Sequence, residues 1–157
     1  MNESQPLIEL IEEIPMAAAT DEVWAILADY RRDTEWRAGV LAMEPSPGPL
    51  AVGTTTTEVM RLAGMRYVNE GLVTALEPGR RLVWRTTSGA TADGVRSVEA
   101  VDDEVVRVVL ELRVVPTGSE RLMAPLLRPM LRRNLRRDLR RLRALAEAPV
   151  PVGASPA

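Results

Sequence analysis

From residue 54 to residue 115 five strand-length segments follow one another with almost nothing between them. They are TTTTEVMRL (54–62), MRYVNEGLVTALE (65–77), RLVWRTT (81–87), GVRSVEAV (94–101) and EVVRVVLELRVV (104–115). Valine, threonine and leucine dominate them, as suits a pleated, half-buried surface. The separators are AG (63–64), PGR (78–80), SGATAD (88–93) and DD (102–103), two to six residues each. A parallel crossover takes about a dozen residues or more, so neighbours in sequence must pair as antiparallel hairpins. A sheet built this way has a face to bury. The chain supplies the cover next: Met123, Leu127, Leu131, Leu135, Leu139 and Leu142 recur every three or four residues. That spacing predicts one face of a long amphipathic helix over 119–148. Ser119 followed by Glu120 suits its start, and Pro125 and Pro129 predict a kink or a separate first turn.

The segments before residue 54 are shorter. LIELIEEI (7–14) reads as a strand, and Thr20 ahead of Asp21 and Glu22 reads as a helix start. Val23, Trp24, Ile26 and Leu27 give that helix an apolar face, a second helical turn is expected at 33–36, and GVLAME (39–44) reads as a strand. EPSPGPLAVG (44–53) holds three prolines and two glycines and reads as a loop. The order predicts the α+β class: a single domain over 1–148, with 149–157 a disordered tail. A chain of 157 residues can bury a sizeable core.

Composition narrows the chemistry. Cysteine and histidine are absent and all 20 basic residues are arginine. Thiolate nucleophiles, Ser-His-Asp triads and lysine Schiff bases are therefore excluded. Any chemistry rests on Asp, Glu, Arg, Tyr, Asn, Ser and Thr. The N-terminus lacks the basic and apolar regions of a secretory signal and no apolar run approaches a membrane span, so a cytoplasmic location is expected. Only five aromatics occur, Trp24, Tyr30, Trp36, Tyr67 and Trp84, and three of them fall within 21–36.

Strand parity indicates which side chains face the sheet's covered side. Val106, Val108, Leu110, Leu112 and Val114 are all apolar, while Arg107, Glu111 and Arg113 alternate with them. The even set faces inward. On 94–101, Val98 and Ala100 carry Arg96 inward, and on 81–87 the Trp84 face, with Leu82 and Thr86, is taken as inward. On 65–77 composition does not decide: one parity buries Tyr67, Asn69, Val73 and Ala75, the other Glu70.

Four stretches carry a resemblance: ATDEVWAILADY (19–30) with EW (35–36), VGT (52–54), and VTALEPGRRLVWR (73–85). In this order they resemble the START-like (SRPBCC) superfamily, and within it the polyketide cyclase/dehydrase family, over about residues 7–147. The resemblance implies a helix-grip fold: a curved antiparallel sheet wrapped around a long C-terminal helix, with two short helices closing one end. It implies a hydrophobic cavity between sheet and helix, used by members for lipids, hormones or polyketides. It favours Thr54, Thr56, Glu58, Met60 and Leu62 inside, with Tyr67, Asn69, Val73 and Ala75. It also implies that Trp24 packs in the core while Tyr30 and Trp36 lie near the cavity mouth.

The candidate catalytic set is then Glu58, Arg96, Tyr67 and Asn69, with Tyr30, Trp36, Met60, Trp84, Leu110, Met123 and Leu127 as ligand-binding walls. A buried carboxylate needs a partner, and Arg96 is the one expected for Glu58. A desolvated Glu58 could act as acid or base, with Arg96, Tyr67 or Asn69 polarising a carbonyl. A bulge would instead turn Glu58 or Arg96 to solvent. No cofactor or metal is expected. The expected activity is cyclisation or dehydration of a hydrophobic carbonyl-bearing small molecule; the alternative is a non-catalytic carrier or sensor of an apolar ligand.

Charge is unevenly spread. Residues 121–148 hold nine Arg against Asp138 and Glu147, a net +7, while 1–120 hold eleven Arg against twenty acids, a net −9. Arg132-Arg133, Arg136-Arg137 and Arg140-Arg141 recur near the helical period. This is either a solvated face or a dock for an acidic partner, an acyl carrier protein or an anionic membrane. Nucleic acid is not expected, because no aromatic interleaves with these arginines.

Overall fold

The structure, a computed structural model, describes residues 7–149. The elements in chain order are β1 (Ile8–Met16), α1 (Thr20–Leu27), a 3-10 turn (Tyr30–Arg32), α2 (Asp33–Trp36), β2 (Val40–Pro45), β3 (Thr55–Leu62), β4 (Met65–Glu77), β5 (Arg81–Ser88), β6 (Thr91–Ala100), β7 (Val106–Val115) and α3 (Glu120–Glu147). All seven strands join one antiparallel sheet in the order β1-β7-β6-β5-β4-β3-β2. Strands β2 to β7 form a meander, which short connections demand. β1 and β2 are the two edges, so the segment between them must cross from one edge to the other. That crossing carries α1 and α2, which is why the short helices close one end of the sheet.

α3 lies along the sheet's concave face. Leu139 and Leu142 pack with Val23, Leu27, Trp36, Val98, Val106 and Val108, while Leu127 and Leu131 pack with Ile8 and Leu10. The expected inward set of β7 is the buried one: Val106, Val108 and Leu110 are 2%, 0% and 5% exposed. The helix is one continuous element through Pro125 and Pro129, so its first turns are not separate. Both prolines sit on its exposed side, where the carbonyls they leave unbonded can meet water. Ser119 occupies the N-cap position without a capping side-chain bond, and Glu120 reaches back to the Thr117 N–H instead. Thr20 is likewise the first helical residue of α1 rather than its cap, which is Ala19.

Three boundaries differ from the sequence reading for physical reasons. The 88–93 separator shrinks to a Gly89-Ala90 turn, because Gly89 takes φ +84°, the positive angle a two-residue hairpin needs at its first central position. On β4 a bulge between Val73 and Ala75 resets the parity: Val73 and Leu76 oppose Trp84 and Leu82, while Ala75 turns outward and is exposed. Ala100, placed inward from sequence, lies exposed at the end of β6. The tail from residue 150 on lies outside the described residues.

The β3–β4 connection is Ala63-Gly64, with φ +53° and +78°. Two positive angles define a type I′ turn, and alanine there carries the left-handed steric cost. Ala63→Asn, which restores the preferred Asn-Gly pair, is expected to stabilise the fold by about 0.5–1 kcal/mol. A denaturant midpoint at unchanged slope measures this directly.

Candidate active site

Between the sheet and α3 lies a cavity of about 150 Å³. Most of its wall is apolar: Met60 and Leu62 of β3, Trp84 of β5, Leu110, Leu112 and Val114 of β7, and Leu127, Leu131 and Leu135 of α3. Strand register shows which end is which. Leu62 and Met65 pair beside the β3–β4 turn, and Thr91 pairs with Val115, one step from the β5–β6 turn and just before α3 begins. The outer end, lined by Leu62, Tyr67, Ala90 and Glu120, is therefore set by hairpin tips and the start of α3. Trp36, Arg37, Arg96 and Asp138 line the other, inner end, where α2 meets α3.

The inner end is a buried polar network. Asp33 of α2 is 0% exposed and accepts from Arg96 at 2.9 Å (Nη1 to Oδ1) and 2.6 Å (Nη2 to Oδ2). Arg96 also donates to the Leu27 carbonyl at 2.9 Å. Its guanidinium carbon lies 4.6 Å from the Tyr30 ring centre and 5.1 Å from that of Trp36. Two aromatic faces and a bidentate carboxylate thus hold one arginine. Burial acts to lower the Arg96 pKa, but the Asp33 carboxylate outweighs it and leaves the group above its ordinary value. Burial likewise pushes the Tyr30 phenol up.

Arg37, the residue after α2, joins this network to the sheet. Its Nη1 donates to Asp33 at 3.1 Å and to Glu58 at 2.5 Å. Glu58 accepts in turn from Asn69 Nδ2 at 3.1 Å, so both of its oxygens are bonded. Burial acts to lower the Arg37 pKa, and Glu58 and Asp33 together more than reverse this, so the guanidinium stays charged. Both bonds engage Nη1; the Nε and Nη2 donors of Arg37 make none within the described residues. Asn69 is itself positioned by the Ala90 N–H, which donates to its Oδ1 at 2.9 Å. A side chain at Gly89 would meet that same oxygen, so this turn needs glycine for space as well as for its backbone angle.

Asp138 of α3 completes the inner end. It is 8% exposed and accepts from the Ala38 N–H at 2.9 Å. Burial raises its pKa from 3.8 to about 6; that bond and the charges of Arg37, Arg141 and Arg96 oppose the rise without cancelling it. One further group stands out. The Trp36 Nε1–H is buried and has no hydrogen-bond acceptor among the described residues, whereas a buried indole N–H usually finds one.

The structure thus brings Glu58, Tyr67, Asn69, Arg96, Trp36, Met60, Trp84, Leu110 and Leu127 together around one cavity. Three expectations need correction. Glu58 pairs with Arg37 rather than Arg96, because Asp33 already occupies the Arg96 fork. Tyr30 and Trp36 do not rim the mouth: they are 5% and 1% exposed, Trp36 at the inner end and Tyr30 against Arg96. Met123 is 45% exposed and lies outside the cavity lining. Trp24 is partly buried and packs against the core. Asp33, Arg37 and Asp138 escaped the sequence reading. Asp138, an acid inside a helix whose other acids lie only at its ends, was the one available signal.

A curled antiparallel sheet gripping a long C-terminal helix, with a part-polar cavity between them, defines a START-like helix-grip protein. The family model for "Polyketide cyclase / dehydrase and lipid transport" matches residues 8–147, and the chain belongs to that family. No curated protein sequence matches the chain. Among solved structures, it is similar to the Zhui aromatase/cyclase from Streptomyces sp. R1128, at 19% identity and a TM-score of 0.78, covering 90% of this chain and 94% of that one. It is similar to the di-domain ARO/CYC BexL from the BE-7585A biosynthetic pathway at 16% identity and a TM-score of 0.74, covering 92% of this chain and 51% of that one, about one half of the di-domain. A START superfamily protein from Mycobacterium smegmatis aligns at 11% identity and a TM-score of 0.74, covering 89% of this chain and 97% of that one. At such identities these likenesses establish the fold. Among the described residues no helix is long and apolar enough to cross a membrane.

Two stability predictions follow from the network. Asp33→Asn removes the carboxylate partner of the buried Arg96, while Arg37 keeps Glu58, and is expected to cost about 3–5 kcal/mol, part of which Arg96→Met in the same chain should restore. Chemical denaturation of the single and double variants checks both. Because the folded pKa of Asp138 is raised, the protein is stabilised below pH 4 relative to above pH 6, by about 3 kcal/mol from this group. Asp138→Asn should abolish that loss. Its stability advantage over the parent should grow from pH 4 to pH 6 and then level off, as urea midpoints across that range would show.

Proposed function

We propose that the cavity binds an apolar molecule bearing ketone groups and promotes its cyclisation and dehydration, with Asp138 as the proton carrier and Arg37 as the oxyanion stabiliser. The observation that carries this reading is the inner end: a carboxyl group held near pH 6 beside a guanidinium with uncommitted donors, both on the wall of an apolar cavity. Asp138 takes a proton from the carbon between two carbonyls, and Arg37 N–H groups stabilise the enolate oxygen. The enolate carbon attacks a second carbonyl of the same chain, forming the carbon–carbon bond. The resulting alkoxide regains the proton from Asp138. Dehydration then removes a second proton from the ring to Asp138, and the departing hydroxide collects it as water, leaving Asp138 as it began. Glu58 neutralises and orients Arg37 in this scheme, since both its oxygens are committed to Arg37 and Asn69.

Two features support a carbonyl-bearing ligand. The free Trp36 indole N–H offers a donor that a ligand oxygen would satisfy. A volume of about 150 Å³ suits one aromatic ring, so the ring being closed would sit at the inner end and the remaining chain would extend toward the hairpin tips. The apolar wall of β7 and α3 serves a carrier equally well, and a carrier is the second reading.

Turnover of a linear poly-β-ketone thioester, followed by mass spectrometry as loss of one water, separates the two. Asp138→Asn is expected to lower the rate by about 100-fold or more and to remove the ascending limb of the pH profile near 6. Glu58→Gln is expected to cut turnover while ligand-induced quenching of tryptophan fluorescence persists. If the parent protein binds the thioester but never dehydrates it, the carrier reading stands and the catalytic one is withdrawn.

A further inference from the structure

Among the described residues no element packs on the outer face of α3, and the main contacts of the helix are with β1, α1 and α2. Positions 122, 126, 129, 133, 137 and 140 are three or four residues apart and form one stripe along that face. All six are exposed, and the stripe is divided. Its first half is Leu122, Leu126 and Pro129, with Met123 alongside; Leu122 is 88% and Leu126 64% exposed. Its second half is Arg133, Arg137 and Arg140, none with a carboxylate partner among the described residues. The flanking arginines behave differently: Arg132 and Arg136 turn to Glu12 of β1, and Arg141 donates to the Glu35 carbonyl. The stripe therefore sits at the positive pole of a chain whose first 120 residues carry a net −9.

We propose that this stripe docks the protein on an anionic lipid bilayer, with Leu122, Met123 and Leu126 entering the interface and Arg133, Arg137 and Arg140 resting on the headgroups. The proposal is independent of the chemistry assigned to the cavity. Charge complementarity selects an anionic surface. Shape selects a bilayer over a soluble acidic protein. The leucines protrude from a convex helix instead of lining a groove, and the stripe presents its contacts in a line of about 27 Å. Apolar anchors beside a cationic face are what an interfacial helix uses. Docking there sets the outer end of the cavity, lined by Glu120 and Leu127 of the same helix, close to the lipid.

The test is co-sedimentation of the full chain with large vesicles of phosphatidylcholine alone and of phosphatidylcholine with one-third phosphatidylglycerol. Binding to the anionic vesicles is expected to be at least about tenfold tighter and to fall away near 0.5 M salt. Leu122→Ser with Leu126→Ser should weaken it about tenfold or more. Replacing Arg133, Arg137 and Arg140 by Gln should cost about fivefold for each, while Lys at all three should retain binding. These side chains are exposed, and unchanged circular dichroism confirms folding in each variant. Failure to bind either vesicle, equal binding to both, or variants that bind like the parent overturns the proposal. So does salt-sensitive retention on an immobilised acyl carrier protein without vesicle binding, or a leucine-dependent dimer without it.

Discussion

The Asp33–Arg96 ion pair is the interaction on which the inner half of this molecule depends. It ties α2 to the middle of the sheet, and it does so inside the core, where a lone charge would be prohibitive. Everything around it serves to make that burial tolerable. Tyr30 and Trp36 close over the guanidinium, the end of α1 offers the Leu27 carbonyl, and Arg37 shares the carboxylate. Two of the three aromatics clustered in 21–36 make this contact, and the third, Trp24, packs against the core. Tyr30 and Trp36 both lie against the Arg96 guanidinium, and both come from the crossing segment between the two sheet edges.

From that anchor a gradient of polarity runs along the cavity. At the inner end the charges are balanced in a chain from Arg96 through Asp33 and Arg37 to Glu58, and Asn69 passes the last bond to the β5–β6 turn. Asp138 stands beside this chain with a backbone N–H as its one hydrogen-bond donor among the described residues, which is why burial dominates its titration. Toward the hairpin tips leucine, valine and methionine make up most of the wall, with Tyr67 and Glu120 at the far end. A molecule that is polar at one end and apolar along its length would be oriented by this arrangement before any chemistry took place.

Much of this architecture was legible in the chain. Short separators forced antiparallel pairing, the leucine period marked α3, and alternation on β7 named its inward face. Parity also carried Arg96 toward the cavity, and the family register carried Glu58 there. Parity broke where an added residue changed the count: the bulge at Val73–Ala75 exchanged Ala75 for Leu76 on the buried face. The pairing of charges was less accessible. Glu58 has two arginines within the same network, and which one it meets depends on Asp33, a residue 25 positions away on a short helix. Met123 shows the opposite failure, since helical spacing alone placed it with Leu127 although the helix start lies beyond the sheet's cover.

What the amino-acid sequence determined by itself was the kind of object: strands that can only pair as hairpins, one helix long enough to cover them, and a set of side chains from which His, Cys and Lys chemistry is missing. Those properties are local, read from spacing and composition over a few residues at a time. The tertiary structure alone decided which acids and arginines share a charge, that Asp138 is buried while its arginine neighbours are not, and that the outer stripe of α3 is exposed among the described residues. Each of these depends on what surrounds a side chain from distant parts of the chain, and the cost of burying a charge is fixed by those surroundings.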